Sequence, residues 1–197
     1  MGANAEGSAS DAVTAAVAAL RRGEIVACPT ETYYALAVDA LDAAALERLF
    51  VCKGRGAEKA SALLVRDLAM LAELCVEIPP RAVELAARHW PGPLTLALPA
   101  RPGLPEAIVS EGCVAARVSS HPLAAALVAG LGRPLTATSA NPADAPPART
   151  AAEVARYFAG AAVHCLDGGQ TAGGPPSTLV RLRGAEVEVL RQGAIGI

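Results

Sequence analysis

A chain of 197 residues, 53% of them hydrophobic, is long enough to bury a core within a single domain. Aromatic residues make up only 3%, so we expect a core packed mainly from Ala, Val and Leu. A net charge of −2 and a pI of about 5.9 argue against a protein devoted to nucleic-acid phosphates, which usually carries a basic excess.

The five cysteines favour a reducing compartment. They are far apart and form no C-x-x-C pair, and four lie in apolar runs, so we expect buried thiols and no metal site. Reduced thiols are typical of the cytoplasm, where we expect this protein. No apolar run reaches the length of a membrane span. Residues 1–9 lack the pattern of a signal peptide and are predicted to form a flexible N-terminal tail.

Helices and strands alternate through the first two thirds of the chain, and strands follow one another near its end. The predicted helices cover 11–22, 42–53, 67–75, 80–90, 122–131 and 150–158. The predicted strands cover 24–28, 62–65, 94–98, 114–118, 134–138, 163–166, 178–182 and 186–190. This order predicts one α/β domain over 10–197, with a twisted mixed parallel and antiparallel sheet flanked by helices.

Two segments rich in Pro, Gly and Asp, 141–149 and 171–176, are the strongest loop predictions. Loops beside strand ends are where α/β folds hold ligands. The sequence contains neither a P-loop nor a dinucleotide-binding fingerprint. A nucleotide would therefore have to be bound by scattered cations and loop amides.

Three basic residues lie at the ends of predicted elements. Lys53 and Arg55 follow a helix, where they could bind phosphate or simply interact with the negative end of the helix dipole. Arg117 ends the apolar strand V-A-A-R, where a cation is costly unless it is paired or meets a ligand carboxylate. For Arg117 we favour the ligand.

Small polar residues follow two of the predicted strands. Thr30 comes directly after the first strand, and Ser139 and Asn141 close the strand near 138. They could face a ligand or only stabilise local turns. Trp90 and His121 are interpreted as structural residues.

Eight short motifs give these residues weight because they occur together. They are P-T-E-T at 29–32, K-G-R at 53–55, W-P-G-P-L-T-L at 90–96, R-V-S-S-H-P at 117–122, T-S-A-N at 138–141, D-G-G at 167–169, S-T at 177–178 and R-Q-G at 191–193. In this order and spacing the chain resembles the YrdC/TsaC family of threonylcarbamoyl-AMP synthases, from about Gly23 to Gly193.

The resemblance implies a YrdC-like fold with a central cleft and a nucleotidyltransferase activity. Such an enzyme condenses L-threonine, bicarbonate or CO2 and ATP into threonylcarbamoyl-AMP and releases pyrophosphate, the first step of tRNA threonylcarbamoyladenosine modification. Mg²⁺ would accompany ATP without a cage of protein carboxylates. Further implied partners are RNA and a tRNA threonylcarbamoyl transferase complex that receives the product. We expect a monomer.

The resemblance also assigns roles to individual residues. The catalytic cluster at the nucleotide phosphates would be Lys53, Arg55, Ser139 and Asn141. The nucleotide would be bound by Lys53, Ser139, Arg149 and Arg191. Threonine would be bound by Thr30, Ser177 and Arg117, with Arg117 on its carboxylate.

The chain departs from the family's pattern at three motifs. The form P-T-E-T-V-Y-G-L-G reads P-T-E-T-Y-Y-A-L-A, with Ala35 and Ala37 in place of glycines. If those positions need a positive φ, alanine would cost about 1 kcal/mol. The form K-x-R-P-x-x-x-P-L lacks its prolines at Gly56 and Ala60, which predicts a looser loop. The form R-x-P-x-H-P carries Ser119 in place of proline.

Two alternative functions remain open at this point. The departures from the pattern would suit a divergent paralogue that performs carbamoyl-adenylate chemistry with another acceptor. A catalytically weak RNA-binding module is the other alternative, against which the acidic pI argues. Steep loss of RNA affinity with salt would identify the binding module, because phosphate contacts release counterions.

Overall fold

The computed structural model describes residues 3–54, 60–142, 145–184 and 186–197, and for residues 3–9 it describes the backbone alone. The helices are α1 Ala3–Arg21, α2 Ala43–Lys53, α3 Leu68–Ala72, α4 Pro80–His89, α5 Pro122–Leu131 and α6 Ala151–Tyr157, with a short 3-10 helix at Glu106–Ile108. The strands are β1 Ile25–Pro29, β2 Tyr34–Ala37, β3 Leu63–Leu64, β4 Leu94–Pro99, β5 Cys113–Arg117, β6 Leu135–Thr136, β7 Thr138–Ser139, β8 Val163–Cys165, β9 Thr178–Arg183 and β10 Glu186–Arg191.

The strands form two sheets, and each mixes parallel with antiparallel pairs. The four-stranded sheet has the order β7-β2-β1-β8, in which only β1 and β8 run parallel. The six-stranded sheet has the order β10-β9-β4-β5-β3-β6, with the pairs β4–β9 and β3–β5 parallel. The predicted α/β fold with mixed pairing and flanking helices is confirmed, although its strands are divided between two sheets.

The first helix begins earlier than the sequence pattern predicted. It extends back to Ala3, into the segment predicted as a flexible tail. Residues 3–10 contain three alanines and no proline, and alanine has the highest helix propensity. The predicted start relied on the first apolar stripe, which marks where the helix meets the core and not where it begins.

Two strand predictions were wrong for a common reason. The strand β2 was not predicted, because its four residues Y-A-L-A are all buried and show no alternation. The single strand predicted over 134–138 is divided at Ala137, with β6 in the six-stranded sheet and β7 in the four-stranded sheet. The buried strand β2 and the two-residue strands β6 and β7 carry no periodic signal that would assign them to a sheet.

Small residues allow neighbouring helices to pack closely on each other. Helix α1 packs against α5, and a Cβ added at Gly130 would lie 2.8 Å from Cγ2 of Val17. The core consists mainly of Leu, Val and Ala, and Tyr34 is the largest side chain within it that is fully buried. This agrees with the expectation of an aliphatic core. No helix in the described ranges is long and apolar enough to cross a membrane.

All five cysteines are free thiols. Cys28, Cys75 and Cys113 are buried, whereas Cys52 and Cys165 are half-buried. Burial raises the pKa of Cys28 to about 12, although the nearby Arg117 acts in the opposite direction. Thiols with a raised pKa contain little reactive thiolate at neutral pH. A structural role suits the buried cysteines.

The C-terminal segment is bound to the start of β9 through one hydroxyl group. The Thr178 hydroxyl donates to the carbonyl of Ile195 at 2.6 Å and accepts from the amide of Gly193 at 3.0 Å. A Cβ added at Gly193 would lie within 2.6 Å of backbone atoms of Ser177 and Thr178. Glycine is therefore required at position 193 for this close approach.

We expect Gly193→Ala to lower the free energy of unfolding by about 1–3 kcal/mol, because backbone atoms cannot move aside as a flexible side chain can. Gly196→Ala is the matched control, since nothing lies within 4 Å of a Cβ added there. Urea unfolding of both variants measures the difference. Equal stability of the two variants would contradict the close packing at Gly193.

Candidate active site

A cavity of about 560 Å³ is lined by strands of both sheets. Ala35 of β2 and Ser139 of β7 line it from the four-stranded sheet. Thr95 of β4, Arg117 of β5 and Arg191 of β10 line it from the six-stranded sheet. The edges of the two sheets thus place residues that are distant in the sequence around one space, which is large enough for a nucleotide-sized ligand.

The cavity concentrates positive charge. Its lining includes Lys53, Arg117 and Arg191, and no carboxylate from the described part of the chain lines it. This contrasts with the net charge of −2 for the whole chain. Cations that line a cleft attract anionic ligands.

Lys53 is held at the cavity by the end of α2. It is the last residue of that helix, and Gly54 ends the helix in the left-handed conformation with φ 60°. The Lys53 side chain is buried, and its ammonium group donates to the carbonyl of Ser139. The helix end thereby directs a cation towards β7 and away from solvent.

Of the other predicted catalytic residues, Ser139 lines the cavity and contacts Lys53, whereas Asn141 contacts Ser139 and does not line the cavity. The Ser139 hydroxyl donates to Oδ1 of Asn141 at 2.5 Å. Nδ2 of Asn141 donates to the carbonyls of Pro142 and Ala145 at 3.0 and 2.7 Å. Asn141 therefore orients Ser139 and the loop after β7. The fourth predicted member, Arg55, lies outside the described residues.

Arg117 has a protein partner that the sequence did not reveal. Its Nε donates to Oε1 of Glu31 at 2.9 Å, and the Ser119 hydroxyl donates to Oε2 of Glu31 at 2.6 Å. Burial would raise the pKa of Glu31, but the charge of Arg117 and the Ser119 hydroxyl outweigh burial and lower it. The only sequence signal for Glu31 was its place between two threonines in P-T-E-T.

Arg191 is directed into the cavity by an irregularity in β10. The pairing of β10 with β9 shifts register between Val189 and Arg191, a distortion that can re-aim a side chain. Nη2 of Arg191 donates to the carbonyl of Ser177 at 2.9 Å and to its hydroxyl at 3.2 Å. The Ser177 hydroxyl also shares a hydrogen bond of 2.8 Å with that of Thr95. Thr95 was not predicted, although it is the one polar residue in the run L-T-L-A-L.

The two guanidinium groups influence each other. Burial lowers the pKa of Arg191, and the positive charge of Arg117 lowers it further. An anion that binds near the two guanidinium groups would relieve the unfavourable effect of Arg117 on Arg191. Perturbed groups of this kind in a cavity are typical of functional sites.

Thr30 lines the cavity but uses its hydroxyl in a local turn. That hydroxyl donates to the carbonyl of Tyr33 at 2.7 Å and accepts weakly from the amides of Thr32 and Tyr33 at 3.4 Å. The turn role that the sequence left open is therefore present. The hydroxyl hydrogen is used within the turn, so a ligand could bond to this oxygen only by replacing one of the two long amide contacts.

Arg149 does not line the cavity, although it was predicted to bind nucleotide. Its Nη2 donates to the carbonyls of Thr171 and Ala172 at 3.1 and 3.0 Å. Two hydrogen bonds also hold the loop that follows residue 172. The amide of Gly173 donates to the carbonyl of Thr32, and the Tyr33 hydroxyl donates to the carbonyl of Gly174. In this structure Arg149 supports the loop at the cavity rim, because its Nε and Nη2 atoms donate to backbone carbonyls there.

The expected strain at the replaced glycines does not occur. Ala35 and Ala37 lie in β2, and Glu111 is the only non-glycine residue with a positive φ in the described ranges. Ala60 lines the cavity, whereas Gly56 lies outside the described residues.

In the part of the chain that the structure describes, no three His, Cys, Asp or Glu side chains are grouped as metal ligands.

The sequence matches a known protein family and several of its members. The family model for Sua5, YciO and YrdC proteins, described as Telomere recombination, matches residues 18–193. A threonylcarbamoyl-AMP synthase of Halorhodospira halophila is 40% identical over 84% of this chain and 87% of its own length. Another, of Pyrococcus abyssi, is 39% identical over 89% of this chain, and this chain spans only 52% of it.

A solved structure supports the same relationship. The crystal structure of P. abyssi Sua5 complexed with L-threonine superposes with a TM-score of 0.86 at 38% identity. The match covers 92% of this chain and 54% of that one. The chain thus spans about half the length of some of its relatives and most of the length of others.

We expect Glu31→Gln to destabilise the protein by about 1–3 kcal/mol at pH 7, because Arg117 then lacks its buried charged partner. The folded-state pKa of Glu31 is lowered from its ordinary value of 4.5, so its stabilising contribution is present above that value and is lost as the pH falls below it. Urea unfolding between pH 7 and pH 3 should show the stabilities of wild type and variant converging in acid.

The matched control for this measurement is Glu24→Gln. Glu24 also pairs with an arginine, Arg22, but both side chains are largely exposed. Solvent screens such a pair, so the control should remain close to wild type throughout. A Glu31→Gln difference that stays constant down to pH 3 would show that the pair does not titrate as described.

Proposed function

The chain belongs to the Sua5, YciO and YrdC family, and we propose that it catalyses ATP-dependent synthesis of threonylcarbamoyl-AMP from L-threonine and bicarbonate or CO2, with release of pyrophosphate. The observation that carries the proposal is the cavity lined by Lys53, Arg117 and Arg191 without a facing carboxylate in the described ranges. Relatives named threonylcarbamoyl-AMP synthase support it, and they make the other-acceptor alternative less favoured.

The two substrates would occupy different parts of the cavity. Lys53 and Ser139 meet at the end of α2 and would bind the phosphates of ATP, with Arg191 as a second cation. Arg117 would bind the carboxylate of threonine, and Ser177 and Thr30 lie in the same lining. The complex of P. abyssi Sua5 with L-threonine supports an amino acid as one of the ligands.

The reaction requires positioning and charge neutralisation more than a strong base. The amine of threonine and CO2 form a carbamate with loss of a proton. An oxygen of the carbamate then attacks the α-phosphorus in line, and the bond to the β-phosphate breaks to release pyrophosphate. Lys53 and Arg191 would neutralise charge that shifts onto the leaving pyrophosphate, and the burial of Lys53 strengthens its effect by excluding water.

Mg²⁺ would enter as the counterion of ATP. The polar groups in the described cavity lining are hydroxyls, cations and backbone, and Glu31 is bound by Arg117 and Ser119. These groups suit a cation held mainly by phosphate oxygens and water. The metal would neutralise phosphate charge that the three cations leave uncompensated.

The wider assignments remain predictions. We propose a cytoplasmic location, to which five free thiols are suited. The proposed product is a mixed anhydride, so it must pass to an enzyme that transfers the threonylcarbamoyl group to tRNA. RNA binding by this chain, its monomeric state and direct hand-over to such a complex stay predictions.

Pyrophosphate release tests the proposal directly. With ATP and Mg²⁺, release should require both L-threonine and bicarbonate, since the carbamate is the nucleophile. The assay should compare threonine, serine, valine and no amino acid, each with and without bicarbonate. Release that is indifferent to both co-substrates would overturn the synthase proposal, and release with a different amino acid would assign another acceptor.

Arg191→Lys tests the nucleotide side of the cavity. Lysine keeps the charge but cannot donate to the Ser177 carbonyl and to phosphate with the same fork, so we expect kcat/KM for ATP to fall about 10–100-fold. Arg183→Lys is the matched control, because Arg183 lies in the adjacent strand β9 and does not line the cavity. Equal kinetics for the two variants would remove Arg191 from the site.

A further inference from the structure

We propose that Glu31 and Ser119 are positioning residues that hold the Arg117 guanidinium in the orientation that receives the carboxylate of the amino-acid substrate. The inference rests on the proposed function, because that function assigns Arg117 to the carboxylate. It adds two residues that do not line the cavity themselves. They act on the substrate only through Arg117.

The hydrogen bonds of Arg117 divide its guanidinium into two parts. Nε is bonded to Glu31, whereas Nη1 and Nη2 make no hydrogen bond to any residue that the structure describes. No buried side-chain nitrogen or oxygen in those residues lacks a partner, so the unbonded Nη atoms are not sealed in the protein. Arg117 lines the cavity, and its Nη atoms are therefore the donors available there to a carboxylate.

Glu31 is fixed on both of its oxygens. Oε1 accepts from Arg117 and Oε2 accepts from the Ser119 hydroxyl. That hydroxyl itself accepts from the amide of His121 at 3.2 Å, which directs its hydrogen towards Glu31. A carboxylate that is bonded on both oxygens cannot rotate freely, so the direction of its bond to Arg117 is set.

Burial makes this arrangement rigid. Arg117 is 7% exposed and Ser119 is 4% exposed, while the Glu31 side chain is 13% exposed. In such surroundings hydrogen bonds to charged groups are stronger than in water, and their geometry is better defined. A rigid guanidinium loses less conformational entropy when it binds a ligand than a mobile one does.

Ser119 makes the arrangement specific to this chain. In the motif of the family that this chain resembles, the corresponding residue is proline. Proline has no hydroxyl that could donate to Glu31. Here the second oxygen of Glu31 gains a donor from the chain that follows β5. The serine thus supplies a restraint on Arg117 that the usual motif lacks.

The test is a series of variants at Ser119, measured by L-threonine binding in calorimetry and by pyrophosphate-release kinetics. Ser119→Ala and Ser119→Pro should raise both Kd and KM for L-threonine about 3–10-fold, the effect of one hydrogen bond. Their kcat and KM for ATP should stay within about twofold of wild type, because the nucleotide does not contact Arg117 in the proposed arrangement. Ser119→Thr should restore threonine affinity, since it keeps the hydroxyl and a space of about 40 Å³ beside residue 119 takes the extra methyl group.

Two controls separate positioning from general damage. Ser120→Ala removes the adjacent serine, which is exposed, and should match wild type. L-threoninol lacks the carboxylate, so its binding should be unaffected by the Ser119 variants. Glu31→Gln should weaken L-threonine binding more than Ser119→Ala does, with thermal unfolding used to confirm that the variant is folded.

The possible results have distinct meanings. Unchanged threonine affinity in Ser119→Ala, or equal weakening of threonine and threoninol, would overturn the positioning role while the proposed function stands. Absence of threonine-dependent pyrophosphate release in wild type would instead overturn the proposed function and the inference with it. Loss of threonine affinity in the alanine and proline variants, with recovery in the threonine variant, would establish the role.

Discussion

The buried ion pair between Glu31 and Arg117 connects the two sheets at the cavity. Glu31 lies in the turn between β1 and β2 of the four-stranded sheet, and Arg117 ends β5 of the six-stranded sheet. Removing two charges from water is costly, and the cost is offset only when geometry and additional hydrogen bonds are good. Ser119 supplies one such bond. The same contact therefore joins the two sheets beside the cavity and sets the direction of Arg117.

The other two cations of the cavity are stabilised differently. Lys53 donates to the carbonyl of Ser139, and Arg191 donates to the carbonyl of Ser177. Ser139 and Ser177 both line the cavity, so these two bonds hold the cations beside the space that a phosphate-bearing ligand would occupy. Burial and the positive charge of Arg117 lower the pKa of Arg191, and an anion bound near the two guanidinium groups would relieve their repulsion.

Features set by neighbouring residues could be predicted from the sequence. Helix α2 begins where Asp42 caps it, with Oδ1 accepting from the amides of Ala44 and Ala45, and it ends at Gly54. Helix α6 likewise begins at Thr150, the first residue of the predicted helix 150–158, whose hydroxyl accepts from the amide of Glu153. These signals are contained within four residues of the chain.

Features set by distant partners could not be predicted in the same way. Glu31 and Arg117 are separated by 86 positions, and the sequence could state only that Arg117 needed a partner or a ligand. Arg117 bonds to its partner through Nε, while its Nη atoms remain available to a ligand. The structure is therefore compatible with both alternatives, a protein partner and a ligand carboxylate. Arg149 likewise bonds to distant carbonyls of residues 171–172 that the sequence could not indicate, and its contact with nucleotide stays a prediction.

The loop that Arg149 supports is also held by the turn between β1 and β2. Gly174 and Pro176 of this loop line the cavity, and Tyr33 donates to the carbonyl of Gly174 at 2.9 Å. The family form P-T-E-T-V-Y-G-L-G has valine at the position of Tyr33, and valine could not make that bond. The loop is therefore held from outside by Arg149 and from the β1–β2 turn by Tyr33. Since that turn also carries Glu31, the shape of the cavity rim and the orientation of Arg117 depend on one short segment, 30–33.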